Sequence, residues 1–166
     1  MLSLRRAPNQ GWVLTVVVAS MVSLAFAISC GASSDNAAQA SAQAGANLYK
    51  RLGGFDAIAA VVDDFVPRLV GDPQLGRFFA GHGSDSKGRL RQLVVELVCQ
   101  ATGGPCMYIG RPMKAAHAGL GITESDWQTA VKHFVATLDK FKVPQKEKDE
   151  LLAIVSGLKT DIVEKP

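Results

Sequence analysis

The sequence predicts an all-α domain. Three observations carry that reading: apolar residues recur at steps of three and four, no stretch alternates with period two, and the breaks fall at Gly and Pro. Four substantial helices and one short one account for the folded part. A long glycine-rich connection joins the second and third long helices, and compact domains seldom keep such a loop without a use.

After the lead-in "NLYKRLGG", residues Asp56 to Val70 place Ile58, Val61, Val62, Phe65 and Leu69 on one face. Pro67 lies inside this helix, where it removes one backbone bond and favours a kink. "GDPQLGRFFAGHGSDS" reads as a turn, a brief helical piece carrying Phe78 and Phe79, and a polar loop. From Lys87 to Thr102, Leu90, Leu93, Val94, Leu97, Val98 and Ala101 form one stripe, which "GGPC" stops abruptly. "CMYIGRP" leads to a short turn, "MKAAH", preceded by Pro112 and closed by Gly119 and Gly121. Thr123 and Asp126 have capping spacing and open a long helix bearing Trp127, Ala130, Val131, Phe134, Leu138 and Phe141. Pro144 suits the start of a last helix that buries Leu151, Ile154, Val155, Leu158 and Ile162.

Only part of the 166-residue chain belongs to that domain. Arg5 and Arg6 precede an uncharged run from Trp12 to Ile28, which reads as a signal sequence or a short membrane-spanning helix. The exit "Ala27-Ile28-Ser29-Cys30-Gly31" resembles a bacterial lipobox, with Ala27 where leucine is usual. The expectation is a lipoprotein of the cell envelope anchored at Cys30, with a retained anchor or plain secretion as alternatives. The segments are thus 1–29 as signal or anchor, 30–46 as a tether without large apolar side chains, and 47–166 as the domain. Losing Arg5 and Arg6 leaves 16 basic against 15 acidic side chains, so net charge gives no support to a nucleic-acid role.

Catalytic signatures are absent. No Gly-x-Ser-x-Gly, Walker loop, paired carboxylates or CxxC occurs, and three histidines and three cysteines are too scattered for zinc. Cys99 and Cys106 either close a small disulfide in an oxidising compartment or remain two semi-buried thiols. His133 lies off the apolar face and reads as a histidine with an ordinary hydrogen bond, and His82 as a solvated loop residue. His117 stands apart, alone among small residues on the short turn. The ordinary reading of such a histidine is again a satisfied hydrogen bond. One metal chemistry needs a single protein ligand, however: haem iron already has four porphyrin nitrogens, so one neutral imidazole anchors it. Small neighbours allow close approach, and the second ring nitrogen can be fixed by a backbone carbonyl.

"NLYKRLGGFDAIAAVVDDF", "DPQLGRFF", "ATGGPCMYIGRPMKAAHAGLGIT" and "FKVPQKEKDELLAIVSGLKTDIV" closely resemble the group 1 truncated haemoglobins, over residues 48 to 164. The resemblance implies a two-over-two helical sandwich around non-covalent haem b and its iron; CxxCH is absent, in keeping with that. By the same resemblance, His117 is the proximal iron ligand, Phe79 packs on the haem face, and Tyr108 and Met113 flank it on the proximal side. Gly53, Gly54, Gly103 and Gly104 match the family's paired glycines. On the distal side this chain departs from many relatives. Val66, after Phe65, stands where a tyrosine often donates to bound oxygen; Leu90 faces the iron, Val94 replaces a frequent glutamine, and Leu93 a histidine found in some relatives.

The implied function is reversible binding of oxygen, nitric oxide or carbon monoxide. A charge-assisted donor is worth about 1–3 kcal/mol to oxygen, so its loss favours ligands that need less polar help. His82, Arg89 and Arg91 are the nearby candidates to replace it; for the arginines, solvent or propionate contact is the ordinary role. Nitric oxide dioxygenation with a reductase, a peroxidase side activity, and a haem-free interaction module are the alternatives.

Overall fold

The computed structural model describes residues 47–165. The signal, lipid-anchor and tether expectations for residues 1–46, Cys30 included, lie outside them. Among the described residues the regular elements are helices, with one isolated bridge between Thr123 and Lys165.

They run as α1 (Leu48–Arg51), α2 (Gly54–Gly71), a 3-10 turn (Gly76–Phe79), α3 (Ser84–Ala101), α4 (Met113–His117), α5 (Glu124–Lys140), α6 (Gln145–Ser156) and α7 (Lys159–Ile162). The four long helices and the short histidine turn are those expected. Two boundaries differ. α3 starts one turn early, because Ser84–Ser86 continue the helix through a polar stretch that has no apolar periodicity to announce it. The last helix is two pieces: it stops at Ser156, with Gly157 as cap, and restarts at Lys159. α2 runs through Pro67, which is exposed, while Val62 and Val66 before it are buried. Burial of that face outweighs one missing backbone bond.

α2 packs against α3 on one side and α5 on the other. On the α3 side, Ile58, Val62 and Val66 meet Val95 and Cys99. On the other, Leu48, Phe134, Leu138 and Leu151 form a second cluster joined by Phe65, whose ring meets Phe134 edge-on at 5.2 Å. Chain crossings are tight where the paired glycines lie. Gly53 and Gly54 take φ of 96° and 80°, and Gly103 takes 85°. A Cβ on Gly104 would lie 2.5 Å from the Tyr49 ring and 2.6 Å from Cys99 Sγ.

The helix ends are held by side chains. Thr123 and Asp126 form the expected capping box at α5. Asp126 is also buried, and Arg77 and Gln74 from the segment around the 3-10 turn bond it at 2.7 Å each. Burial pushes its carboxyl up, yet the bonds from Thr123 and Gln74 and the positive charge of Arg77 together bring it down to about 2. His133 Nε2 sits 2.7 Å from Asp72 Oδ2, the ordinary partner expected of it, and holds that carboxyl below its usual range. Cys99 and Cys106 are joined by a disulfide with Cα atoms 5.8 Å apart, so of the two readings the structure takes the bridge.

Candidate functional site

A cavity of about 1000 Å³ lies between these layers, at the upper end of the ~300–1,000 Å³ typical of cofactor pockets. All eight residues singled out from the sequence line it: Phe65, Val66, Phe79, Leu90, Val94, Tyr108, Met113 and His117. They come from α2, the 3-10 turn, α3, the connection after α3, and α4. Helical phase explains the convergence. Phe65 and Leu69 leave α2 toward the cavity, and Leu90, Val94 and Leu97 leave α3 in steps of three and four.

His117 is half-buried at the end of α4. Its Nδ1 lies 2.8 Å from the carbonyl oxygen of Met113, one turn back. A carbonyl only accepts, so Nδ1 carries the proton and Nε2 keeps the lone pair. The same bond limits rotation of the ring. Among the described residues, no group of three or more His, Cys, Asp or Glu gathers to hold a metal ion. An iron held here therefore has to bring most of its ligands with it, as a tetrapyrrole does.

Tyr108 is set by its own loop. Its N–H donates to Gln100 Oε1 at 2.6 Å and its hydroxyl to the Arg111 carbonyl at 2.8 Å. Desolvation raises its pKa. The disulfide fastens the start of this loop to α3, two residues before Tyr108. Asp85, Ser86, Lys87, Arg89 and Arg111 also line the cavity, and of these all but the half-buried Lys87 are exposed. Lys87, Arg89 and Arg111 supply cations where a carboxylate-bearing ligand would meet water, with the carboxylate of Asp85 beside them.

Of the three donors considered for the apolar wall, His82 and Arg89 line the cavity and are themselves exposed. Arg91 does not. It turns to α2 and forks onto Asp63 at 2.5 and 2.8 Å, holding that carboxyl below its ordinary range. The reason is register: two positions past Arg89, a helical side chain faces away. The wall formed by Phe65, Val66, Leu90, Leu93 and Val94 carries no side-chain donor.

Sequence reading missed other contributors. Leu75, Phe78, Ile122, Trp127 and Ala130 line the cavity as well, and their helical or turn spacing alone did not separate them from core. It also missed Glu164, whose carboxylate accepts the Gly119 and Gly121 amides just beyond His117 at 2.6 and 2.5 Å. Those two bonds hold its carboxyl below the usual range. No local signal links residues so far apart in sequence.

Comparison with known proteins gives a consistent answer. The family model described as bacterial-like globin matches residues 47–164. The group 1 truncated hemoglobin GlbN of Mycolicibacterium paratuberculosis is 36% identical over 117 residues, 70% of this chain and 84% of that protein. The group 1 truncated hemoglobin GlbN of Nostoc sp. is 31% identical over 71% of this chain and 98% of its own. Among solved structures, the 2/2 hemoglobin of Synechococcus sp. PCC 7002, with covalently attached heme, superposes with a TM-score of 0.65 at 28% identity, covering 71% and 98% of the two chains.

Proposed function

The chain belongs to the bacterial-like globin family, and from that premise we propose that it binds oxygen, nitric oxide or carbon monoxide at a haem iron held axially by His117. Haem with its iron is the family's cofactor, and haem-based binding of gaseous ligands is its common function. The residues present fit the group. The cavity is large enough and mostly apolar, and cations lie at its exposed edge for the propionates. When bound, the haem supplies an iron centre that takes a diatomic ligand.

One observation carries the reading: His117 lines the cavity with Nδ1 committed to Met113 O, which leaves Nε2 as the nitrogen with a lone pair. Phe65, Phe79, Val66, Leu90 and Val94 exclude water and present no hydrogen-bond donor. Tyr108 and Met113 border the histidine side. Such a pocket favours ligands that need little polar help, with ligand binding or sensing ahead of oxygen storage. The test is an absorption spectrum of the purified chain with haem added, first without and then with oxygen. A five-coordinate ferrous spectrum that oxidises rapidly in oxygen supports the reading. A stable oxy complex would shift it toward nitric oxide dioxygenation, and no Soret band at all toward a haem-free module.

We also place the domain on the outer side of a membrane, held by lipid at Cys30. Two features support this: the charge-free run that ends at the lipobox-like Ala27–Gly31, and the Cys99–Cys106 disulfide, which belongs to oxidising compartments. Labelled palmitate that enters the wild-type chain but not a Cys30→Ser variant supports the anchor; equal labelling refutes it.

A further inference from the structure

α4 is five residues long and ends at His117. A single helical turn does not hold itself in water, because nucleation is costly and few bonds follow it. Its two ends have to be fixed from outside. The N-terminal side is fixed locally: Arg111 Nη2 donates to the Ala115 carbonyl at 2.6 Å, and the Ala116 N–H to the Pro112 carbonyl at 2.9 Å. Beyond His117 the chain continues through Gly119 and Gly121, at φ of 81° and 66°, and of the residues there Leu120 lines the cavity while the two glycines have no side chain to pack.

There the C-terminal tail takes over. Glu164 Oε1 accepts the Gly119 N–H and Oε2 the Gly121 N–H. The backbone of the same tail continues the attachment. The Glu164 and Lys165 N–H groups both donate to the Ile122 carbonyl, at 2.9 and 3.1 Å, and the Glu124 N–H donates to the Lys165 carbonyl at 3.1 Å. α4 also packs against α7, from which the tail emerges. A carboxylate placed only for solubility would not span two amides, and charge-assisted bonds of this kind are the stronger class.

We propose that Glu164 is a positioning residue for His117. By chelating the two glycine amides it holds the end of the histidine turn, so the imidazole meets the macrocycle in one orientation. The inference rests on the axial role of His117, and the two are therefore tested on separate variants of the full chain. In haem-free protein labelled with 15N-glycine, hydrogen exchange of Gly119 and Gly121 reports the latch directly. In the loaded protein, resonance Raman of the ferrous form reports the iron–histidine stretch, and transfer to excess apomyoglobin reports haem release. Glu164→Ala is expected to remove protection at both amides, shift or broaden the stretch, and speed haem release on the order of tenfold. Glu164→Gln keeps one good acceptor oxygen, so it should recover part of each effect, and it carries the test should the alanine variant fail to fold.

A folded Glu164→Ala protein with a lower melting temperature but an unchanged stretch and release rate would overturn the proposal, leaving the tail a structural strap alone. His117→Gly that keeps the wild-type haem spectrum would instead overturn the axial assignment beneath it.

Discussion

The His117 ring is tied to the Met113 carbonyl at 2.8 Å, within a helix that contains only these two residues and the three between them. The acceptor is backbone, so no side-chain substitution removes it, and it decides the tautomer by itself. That places the free lone pair on Nε2, the nitrogen farther from the backbone and the one the proposed iron bond would use.

Replacing the ring tests the proposed axial role of His117 directly. His117→Ala is expected to weaken haem retention by more than the roughly 10–100-fold that loss of an outer-shell partner costs. Added imidazole should restore part of the five-coordinate spectrum. Cys99→Ser, which leaves the ring in place, should retain haem; comparable retention in both variants would remove His117 from the iron.

The apolar wall makes its own prediction. Leu90 is half-buried and lines the cavity, and glutamine is close to it in volume. Leu90→Gln should therefore introduce an amide donor without overpacking. Oxygen dissociation, followed by stopped flow, should slow on the order of tenfold, with carbon monoxide affected much less. Equal effects on both ligands would mean that sterics rather than hydrogen bonding changed.

The Cys99–Cys106 bridge closes a short loop, its ends a sequence separation of 7 apart. Closing so short a loop stabilises by about 2–3 kcal/mol through the unfolded chain. Urea unfolding with and without reductant should show that difference, and a Cys99→Ala, Cys106→Ala double variant should be insensitive to reductant.

Two carboxylates set the acid limit. Lys140 and Arg68 bond Asp64 and bring it down to about 2, and Asp126 reaches about 2 despite its burial. Both folded values lie below the unfolded one, near 3.9. Their contribution is complete above pH ~4 and is lost as pH falls from about 4 toward about 2. Circular dichroism against pH should place acid unfolding in that window. Asp126→Asn should flatten the dependence there, while unfolding that begins near pH 6 would implicate other groups.

Local pattern made much of this legible. The stripe of Ile58, Val62 and Phe65 announced α2, and Thr123 with Asp126 announced the start of α5, because both signals act within one or two turns. The eight cavity residues were also reachable, since resemblance to a known family carried positions that periodicity alone reads as core. Other features were not. Arg91 reads like Arg89 until helical phase turns it onto Asp63. Ser84 gave no hint of helix, and Gly157 broke an apolar pattern that looked continuous to Ile162.

By itself, the sequence determined the four long helices, the capping box that opens α5, the apolar faces and the lone histidine, because each depends on spacing along the chain and on backbone chemistry. Only the tertiary structure decided that Cys99 reaches Cys106, that Arg77 serves Asp126, and that Glu164 closes on Gly119 and Gly121. Such pairings depend on where packed helices bring the chain back, and hydrogen bonds and disulfides form only within a few ångströms.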